Sequence, residues 1–189
     1  MILTDREIRL SIQEGLITIN PPPGAAAYSS TSLDLSLDET LREFDDAQAG
    51  IDLVIDPTAP GYSFNRAVAR VSSLKAIDAA DGYTLRRDRL VLGWTRERIH
   101  LKQHGRVAAR VEGKSSLARL GLAVHVTAPT IHAGFQGQIQ LEIVNHGPYP
   151  IRLRTGMPVC QLIFEQTLGF PEVGYGGQFS GQISGASQG

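Results

Sequence analysis

Residues 138–145 read Gln-Ile-Gln-Leu-Glu-Ile-Val-Asn, and polar and apolar side chains alternate along the first six of them. Ile139, Leu141 and Ile143 therefore share one face of an extended segment, whereas Glu142 lies on the opposite face with two glutamines. A period of two with one apolar face predicts a half-buried β-strand. The predicted strand would place the Glu142 carboxylate on its polar face, beside the core.

Other segments repeat the pattern. Leu33, Leu35 and Leu37 alternate with polar residues over 32–37, which predicts a second half-buried strand. From residue 50 to residue 112, short apolar runs are separated by Gly, Pro, Asp and Arg, as is typical of a β-sandwich or barrel. We expect an all-β fold with further strands at IDLVI (51–55), YTL (83–85), RLVLGW (89–94), RVAARV (106–111), 122–127 and 158–165.

Two segments depart from the strand pattern and predict helices. Thr4 and Glu7 form a capping-box pattern, apolar residues follow at helical spacing, and Gly15 lies where that helix ends. The segment SSLARLG, residues 115–121, starts with two serines and ends with a glycine. It predicts one short, capped internal helix.

The composition indicates one domain in a reducing compartment. The 189 residues suit a single domain, which we assign to 1–182, with a glycine-rich lid and tail over 172–189. The single cysteine, Cys160, excludes an internal disulfide and a cysteine-rich zinc site. No apolar run approaches ~18 residues, and the N-terminus lacks a secretory pattern. We therefore expect a cytoplasmic protein with no membrane partner.

The formal net charge of −1 predicts no overall attraction to nucleic acid. The charges are nevertheless uneven, because residues 34–56 carry eight acids against one Arg, and residues 66–119 carry thirteen Lys or Arg against five acids. Two interpretations stay open. The segments form two solvated faces of opposite sign, or the basic one forms a site for an anionic small molecule.

The tripeptide Gly113-Lys114-Ser115 resembles the end of a phosphate-binding P-loop. That motif requires a glycine at position 108, where this chain has Ala, and a long helix afterwards, so we reject it. Lys114, Ser115 and the first N–H groups of a short helix still form a candidate anion site, with Arg119 one turn later on the same face. A capped surface helix is the alternative.

The strand carboxylate also has two interpretations. Glu142 simply faces solvent, or a covered polar face removes water from it, which suits a general acid or base. His100 and His104 have the spacing of a helical metal pair, but no glutamate follows the first histidine and no helical pattern surrounds them. We expect no metal site there.

Three longer segments together resemble the dCTP deaminase family: GKSSLARLG (113–121), HVTAPTIHAGFQGQIQLEIVN (125–145) and GMPVCQLIFE (156–165). The opening residues 4–21 and the segment SLDLSL (32–37) are also similar to this family. The resemblance implies a dUTPase-like distorted jelly roll or β-barrel, assembled as a homotrimer, with an N-terminal helix and one short internal helix.

The same resemblance implies hydrolytic deamination of dCTP to dUTP and ammonia, with magnesium carried by the triphosphate. Zinc-dependent nucleobase deaminases need an H-x-E…P-C-x-x-C signature, which this sequence lacks. By similarity, Glu142 is the general acid/base, Ser115 and Arg119 flank the reactive water, and the carbonyl of Ala128 orients it. The implied nucleotide-binding residues are Lys114, Ser115, Ser116, Leu117, Ala118, Arg119, His132, Gln140, Leu141, Glu142, Tyr175, Gln178 and Gln182.

Three features depart from the family pattern. His132 stands where the family usually has an acid that holds the sugar 3′-hydroxyl, and Pro129 stands where it often has His or Gly. The C-terminal lid is shortened: Tyr175 and Gln182 match the family, whereas Gln178 replaces a lysine. Two alternatives therefore stay open. One is a bifunctional deaminase that also splits dUTP to dUMP and pyrophosphate, or a dUTPase alone, and the other is a nucleotide-binding module without turnover.

Overall fold

The strand predicted at 138–145 is one of twelve strands in the described part of the chain. The structure is a computed structural model that describes residues 1–45, 54–173, 175, 181, 183 and 184. The α-helices are α1 (Asp5–Gln13), α2 (Phe64–Val71) and α3 (Ser115–Ala118). The strands are β1 (Ile17–Asn20), β2 (Tyr28–Ser29), β3 (Ser32–Phe44), β4 (Ser72–Ala76), β5 (Tyr83–Leu85), β6 (Leu90–Leu101), β7 (Val107–Gly113), β8 (Leu122–Ala123), β9 (Thr130–Ile131), β10 (Gln136–Asn145), β11 (Ile151–Leu153) and β12 (Pro158–Gln166).

Ten of these strands form one antiparallel sheet, which confirms the all-β prediction. Its order is β8-β10-β6-β3-β12-β7-β9, with β1 beside β6 and with β2 and β4 beside β3, while β5 and β11 pair separately. The long strand β3 changes partners along its length. Residues 33–36 pair with β12, and residues 37–43 pair with β6. This change of partner lets β3 join the two halves of the sheet.

The apolar faces of the strands meet in one core. Leu33, Leu35 and Leu37 are at most 1 % exposed, and so are Leu141 and Ile143. Burial of apolar surface is the dominant favourable contribution to folding. The alternation at 32–37 and at 138–145 therefore predicts correctly that these apolar side chains are buried, whereas Ser32 and Gln138, at the polar positions, are buried as well.

Most of the remaining strand predictions are confirmed, and the exceptions are local. The runs YTL, RLVLGW and RVAARV fall in β5, β6 and β7, and 158–165 falls in β12. The strand predicted over 122–127 is wrong beyond β8, because the chain leaves its partner β10 after Ala123. In IDLVI, residues 51–53 lie outside the described residues, and residues 54–55 form no strand. The sequence does not predict α2, because eight residues give too short a helical period to recognise.

Helix α1 begins and ends where the sequence predicts. Thr4 is the N-cap residue, and Gly15 follows the helix with φ +67°, a conformation that glycine adopts readily. The capping box differs, since the Thr4 hydroxyl donates to the Glu7 carboxylate and the Thr4 side chain caps no backbone N–H. Among the described residues, no helix is long and apolar enough to cross a membrane.

Two glycines fix the position of α3 against the end of β10. Gly121 follows α3 with φ +96°, and its carbonyl accepts a 2.8 Å hydrogen bond from the His146 N–H. A Cβ on Gly147 would lie 2.0 Å from the Leu120 carbonyl oxygen, and a Cβ on Gly121 would lie 2.2 Å from the Gly147 nitrogen. The two backbones therefore touch at a distance that only glycine allows.

We expect Gly147→Ala to destabilise the protein by about 1–3 kcal/mol, because the added methyl group meets backbone and not a mobile side chain. Urea unfolding of the purified variant measures this. Gly24→Ala is the matched control, since no heavy atom lies within 4 Å of its Cβ position, and its stability should stay within about 0.5 kcal/mol of the wild type. Equal stability of the two variants would contradict the close backbone contact.

Candidate active site

A cavity of about 490 Å³ lies over the polar face of β10. The segment from His125 to Phe135, helix α2 and Tyr175 contribute its other walls. Cavities of this size and mostly apolar lining are typical of small-molecule sites. The cavity brings together six of the residues that the sequence indicates: Ala128, His132, Gln140, Leu141, Glu142 and Tyr175.

Glu142 is the carboxylate of this cavity. Its side chain is half-buried, and its Oε2 accepts a 3.2 Å hydrogen bond from the Val126 N–H. Glu142 is also the single Asp, Glu, Lys or Arg among the described residues that line the cavity. Glu142 is therefore partly covered and not freely exposed to solvent.

The loop between β8 and β9 covers Glu142. It is anchored at its far end, where the Pro129 carbonyl accepts a 2.8 Å hydrogen bond from the Val111 N–H. His125 in this loop lines the main cavity and a neighbouring one, and its Nδ1 is buried without a hydrogen-bond partner. No sequence pattern assigns His125 to the site, although it begins the segment 125–145 that resembles the dCTP deaminase family.

An aromatic stack closes one side of the cavity. The rings of His132 and Tyr175 are stacked with centroids 5.4 Å apart and an interplanar angle of 22°. The ring centroid of Phe135 lies 6.0 Å from that of Tyr175. Tyr175 thus lines the cavity. The other two predicted lid residues, Gln178 and Gln182, lie outside the described residues.

The predicted anion-binding segment lies apart from this cavity. Lys114, Ser115, Ser116, Leu117 and Arg119 line none of its wall. Ala118 lines a second cavity of about 330 Å³ between α3 and β8. Ser115, Ser116 and Arg119 are exposed. Within a single chain, no residue of α3 therefore lines the cavity that holds Glu142.

Lys114 has a partner that the sequence does not indicate. Its ammonium forms an ion pair with the Asp34 carboxylate of β3, and both side chains are less than one quarter exposed. The second oxygen of Asp34 is buried and has no hydrogen-bond partner. Asp34 holds the lysine beside the start of α3, so it belongs to the surroundings of the predicted anion site.

Helix α2 adds two site residues that the sequence patterns miss. Phe64 and Val68 are four residues apart on one helix face and line the main cavity. The signal is the short amphipathic run FNRAVARV, with apolar residues at positions 64, 68 and 71. Its brevity hides it among the short strands of this region.

No group of three or more His, Cys, Asp or Glu side chains in the described ranges is arranged to bind a metal ion. Cys160 is fully buried on β12, and burial raises the pKa of its thiol. It therefore stays protonated and is poorly suited to act as a nucleophile.

Comparisons with known proteins identify the family to which the chain is similar. A family model described as dCTP deaminase-like matches residues 2–167. A Rhodospirillum rubrum protein named dCTP deaminase is 38% identical, over 87% of this chain and 82% of the relative. A Shewanella amazonensis protein of the same name is 41% identical, over 89% and 85%.

A solved structure shows the same fold. The 2′-deoxycytidine 5′-triphosphate deaminase from Agrobacterium tumefaciens aligns with a TM-score of 0.66 at 22% identity, over 87% of this chain and 48% of that chain. This chain thus spans about half the length of the Agrobacterium protein. The chain shares the fold of that structure, and its strands place it in the predicted class of all-β proteins. Within this class, the chain belongs to the dCTP deaminase-like family.

Proposed function

We propose that this chain converts dCTP and water to dUTP and ammonia. The observation that carries the proposal is the position of Glu142, which lines a cavity of small-molecule size in a chain of the dCTP deaminase-like family. The relatives named dCTP deaminase support the same substrate. Deamination needs a group that accepts a proton from water and later returns one to the departing amine.

In the proposed mechanism, Glu142 accepts a proton from water as the water oxygen attacks C4 of cytosine. The carboxyl passes this proton to the ring nitrogen N3. It then takes the proton of the new C4 hydroxyl and donates it to the amine, which leaves as ammonia while the C4 carbonyl forms. Ala128, which lines the cavity beside Glu142, orients the water through its carbonyl. Ser115 and Arg119 flank the water and help to hold the charge state of the carboxylate.

The remaining residues bind the nucleotide. Gln140 and Leu141 read the base, His132 meets the sugar 3′-hydroxyl, and Tyr175, Gln178 and Gln182 close over the substrate. Magnesium accompanies the triphosphate, because Mg²⁺ is usually held by phosphates with one or two carboxylates. The residues proposed to contact the phosphates are Lys114, Ser115, Ser116, Leu117, Ala118 and Arg119.

The proposed reaction uses no zinc. The sequence lacks the H-x-E…P-C-x-x-C signature with which zinc deaminases activate water. We further place the protein in the cytoplasm, where its single cysteine stays reduced, with neither nucleic acid nor membrane as a partner.

Glu142→Gln should lower ammonia release from dCTP by about 10²–10⁴-fold, because the amide cannot carry the proton. The glutamine oxygen can still accept the Val126 hydrogen bond, so fold and nucleotide affinity should change little. Ammonia release and calorimetric binding of dCTP measure the two effects. Glu165→Gln is the control, since this β12 glutamate pairs with Arg110 outside the cavity. A Glu142→Gln enzyme with more than about a tenth of wild-type turnover would remove Glu142 from the mechanism.

The presence of a histidine at position 132 predicts which products the enzyme releases. A carboxylate at this position would help to activate water for attack on a phosphate. A neutral imidazole can still meet the sugar hydroxyl, because it donates at one nitrogen and accepts at the other, but it lacks that negative charge. We expect ammonia from dCTP and little pyrophosphate from dCTP or dUTP. Separate assays of the two products test this. Both products from dCTP would establish the bifunctional alternative, and tight binding with neither product would establish the non-catalytic one.

The separation of α3 from Glu142 supports a homotrimer with sites shared between subunits. Light scattering at micromolar concentration should give about three times the 20.4 kDa of one chain. Co-refolding inactive Glu142→Gln with inactive Arg119→Ala should restore roughly a quarter of the activity, because each site would draw its two residues from different subunits. A fully active monomer, or no restoration on mixing, would contradict this arrangement.

A further inference from the structure

The wall of the main cavity changes from polar to apolar beside Glu142. In the pairing of β10 with β6, Glu142 is opposite Leu92, and Val144 is opposite Leu90. Opposite residues of an antiparallel pair share a face, with Cβ atoms about 4.5–5.5 Å apart. The face that carries the carboxylate therefore becomes apolar one strand away.

Helix α2 covers this apolar part of the cavity wall. Phe64 and Val68 line the cavity from the helix, and Phe44 lines it from the end of β3. We call the set formed by Phe44, Phe64, Val68, Leu90 and Leu92 the apolar pouch. Arg42 is opposite Leu92 on the next strand, but its guanidinium donates to the Ser72 hydroxyl at 3.3 Å, and it does not line the cavity.

The two sides of Glu142 match the two edges of a cytosine ring. The amine-bearing carbon C4 lies between the ring nitrogen N3, on the hydrogen-bonding edge, and the carbon C5, on the apolar edge. Gln140 is two residues from Glu142 on β10 and offers an amide, whereas Leu92 offers only a hydrocarbon side chain. Polar edges seek hydrogen-bond partners, and apolar edges seek burial.

Building on the proposed deamination, we propose that C5 faces the apolar pouch and that the pouch accepts a methyl group there. The enzyme would then deaminate the 5-methylcytosine deoxynucleotide as well as the cytosine one. In this reaction, water adds at C4 and ammonia leaves, the methyl group is unchanged, and the product is the thymine deoxynucleotide. Val68 sets the size limit, because it lies on the helix that covers the pouch.

The test compares kcat/KM for 5-methyl-dCTP and dCTP by ammonia release. In the wild type, the ratio of 5-methyl-dCTP to dCTP should lie between about one and fourfold, since burying one methyl group improves binding by about that factor. Val68→Phe fills the pouch and should lower this ratio at least about tenfold. Ala69→Phe is the matched control on the exposed neighbouring position and should leave the ratio unchanged.

Val68→Ala provides an independent readout with the opposite sign. It enlarges the pouch, so turnover of 5-propynyl-dCTP relative to dCTP should rise by about tenfold. A wild-type ratio below about one hundredth for 5-methyl-dCTP would overturn the proposal. Equal ratios in the wild type and in both Val68 variants would overturn it as well.

Binding separates this proposal from the proposed function. The Kd values of both nucleotides are measured in the Glu142→Gln background, where turnover does not interfere. If dCTP gives no ammonia with the wild type, the deaminase proposal fails. The pouch then stands if Val68→Phe weakens binding of 5-methyl-dCTP relative to dCTP, and it falls if the two Kd values change together.

Discussion

The antiparallel pairing of β10 with β6 determines what each face of β10 meets. Glu142 is opposite Leu92, and Leu141 is opposite Gly93. Because side chains alternate along a strand, a slip of one residue would turn the Glu142 carboxylate into the core. Gly93 permits this packing, since a Cβ there would lie 2.8 Å from Ile143 Cδ1. The core and the cavity therefore depend on one register.

A register shift between Gln138 and Gln140 separates the two ends of β10. It is held by Thr95, whose hydroxyl accepts from the Ile139 N–H at 3.0 Å and whose carbonyl accepts from the Gln138 amide at 2.8 Å. Such an irregularity re-aims the side chains beside it. The Gln138 side chain is consequently buried, and its amide donates hydrogen bonds that include one to Asp38. The Gln140 side chain instead lines the cavity. The position of Gln140, which is proposed to bind the base, therefore depends on this irregularity in the pairing of β10 with β6.

The fold keeps the two halves of the proposed site apart within one chain. Glu142, Gln140 and Tyr175 line the main cavity, whereas α3 is held against the loop after β10 by the contact of Gly121 with Gly147. Lys114 is held by Asp34 beside the start of α3. In the proposed function, a neighbouring subunit supplies the missing half, so catalysis requires assembly.

Resemblance to the dCTP deaminase family indicated the cavity residues Glu142, Gln140 and His132. The amino-acid sequence was sufficient to predict the apolar faces of the strands at 32–37 and 138–145 and the positions of helices α1 and α3. These follow from local rules, because alternation and capping involve residues close together in the chain. The tertiary structure alone decided that Phe64 and Val68 line the cavity, that Asp34 pairs with Lys114 and that α3 lies apart from Glu142. Local periodicity reports which face is apolar, but the element that covers this face comes from distant residues, and an eight-residue helix such as α2 completes barely two turns.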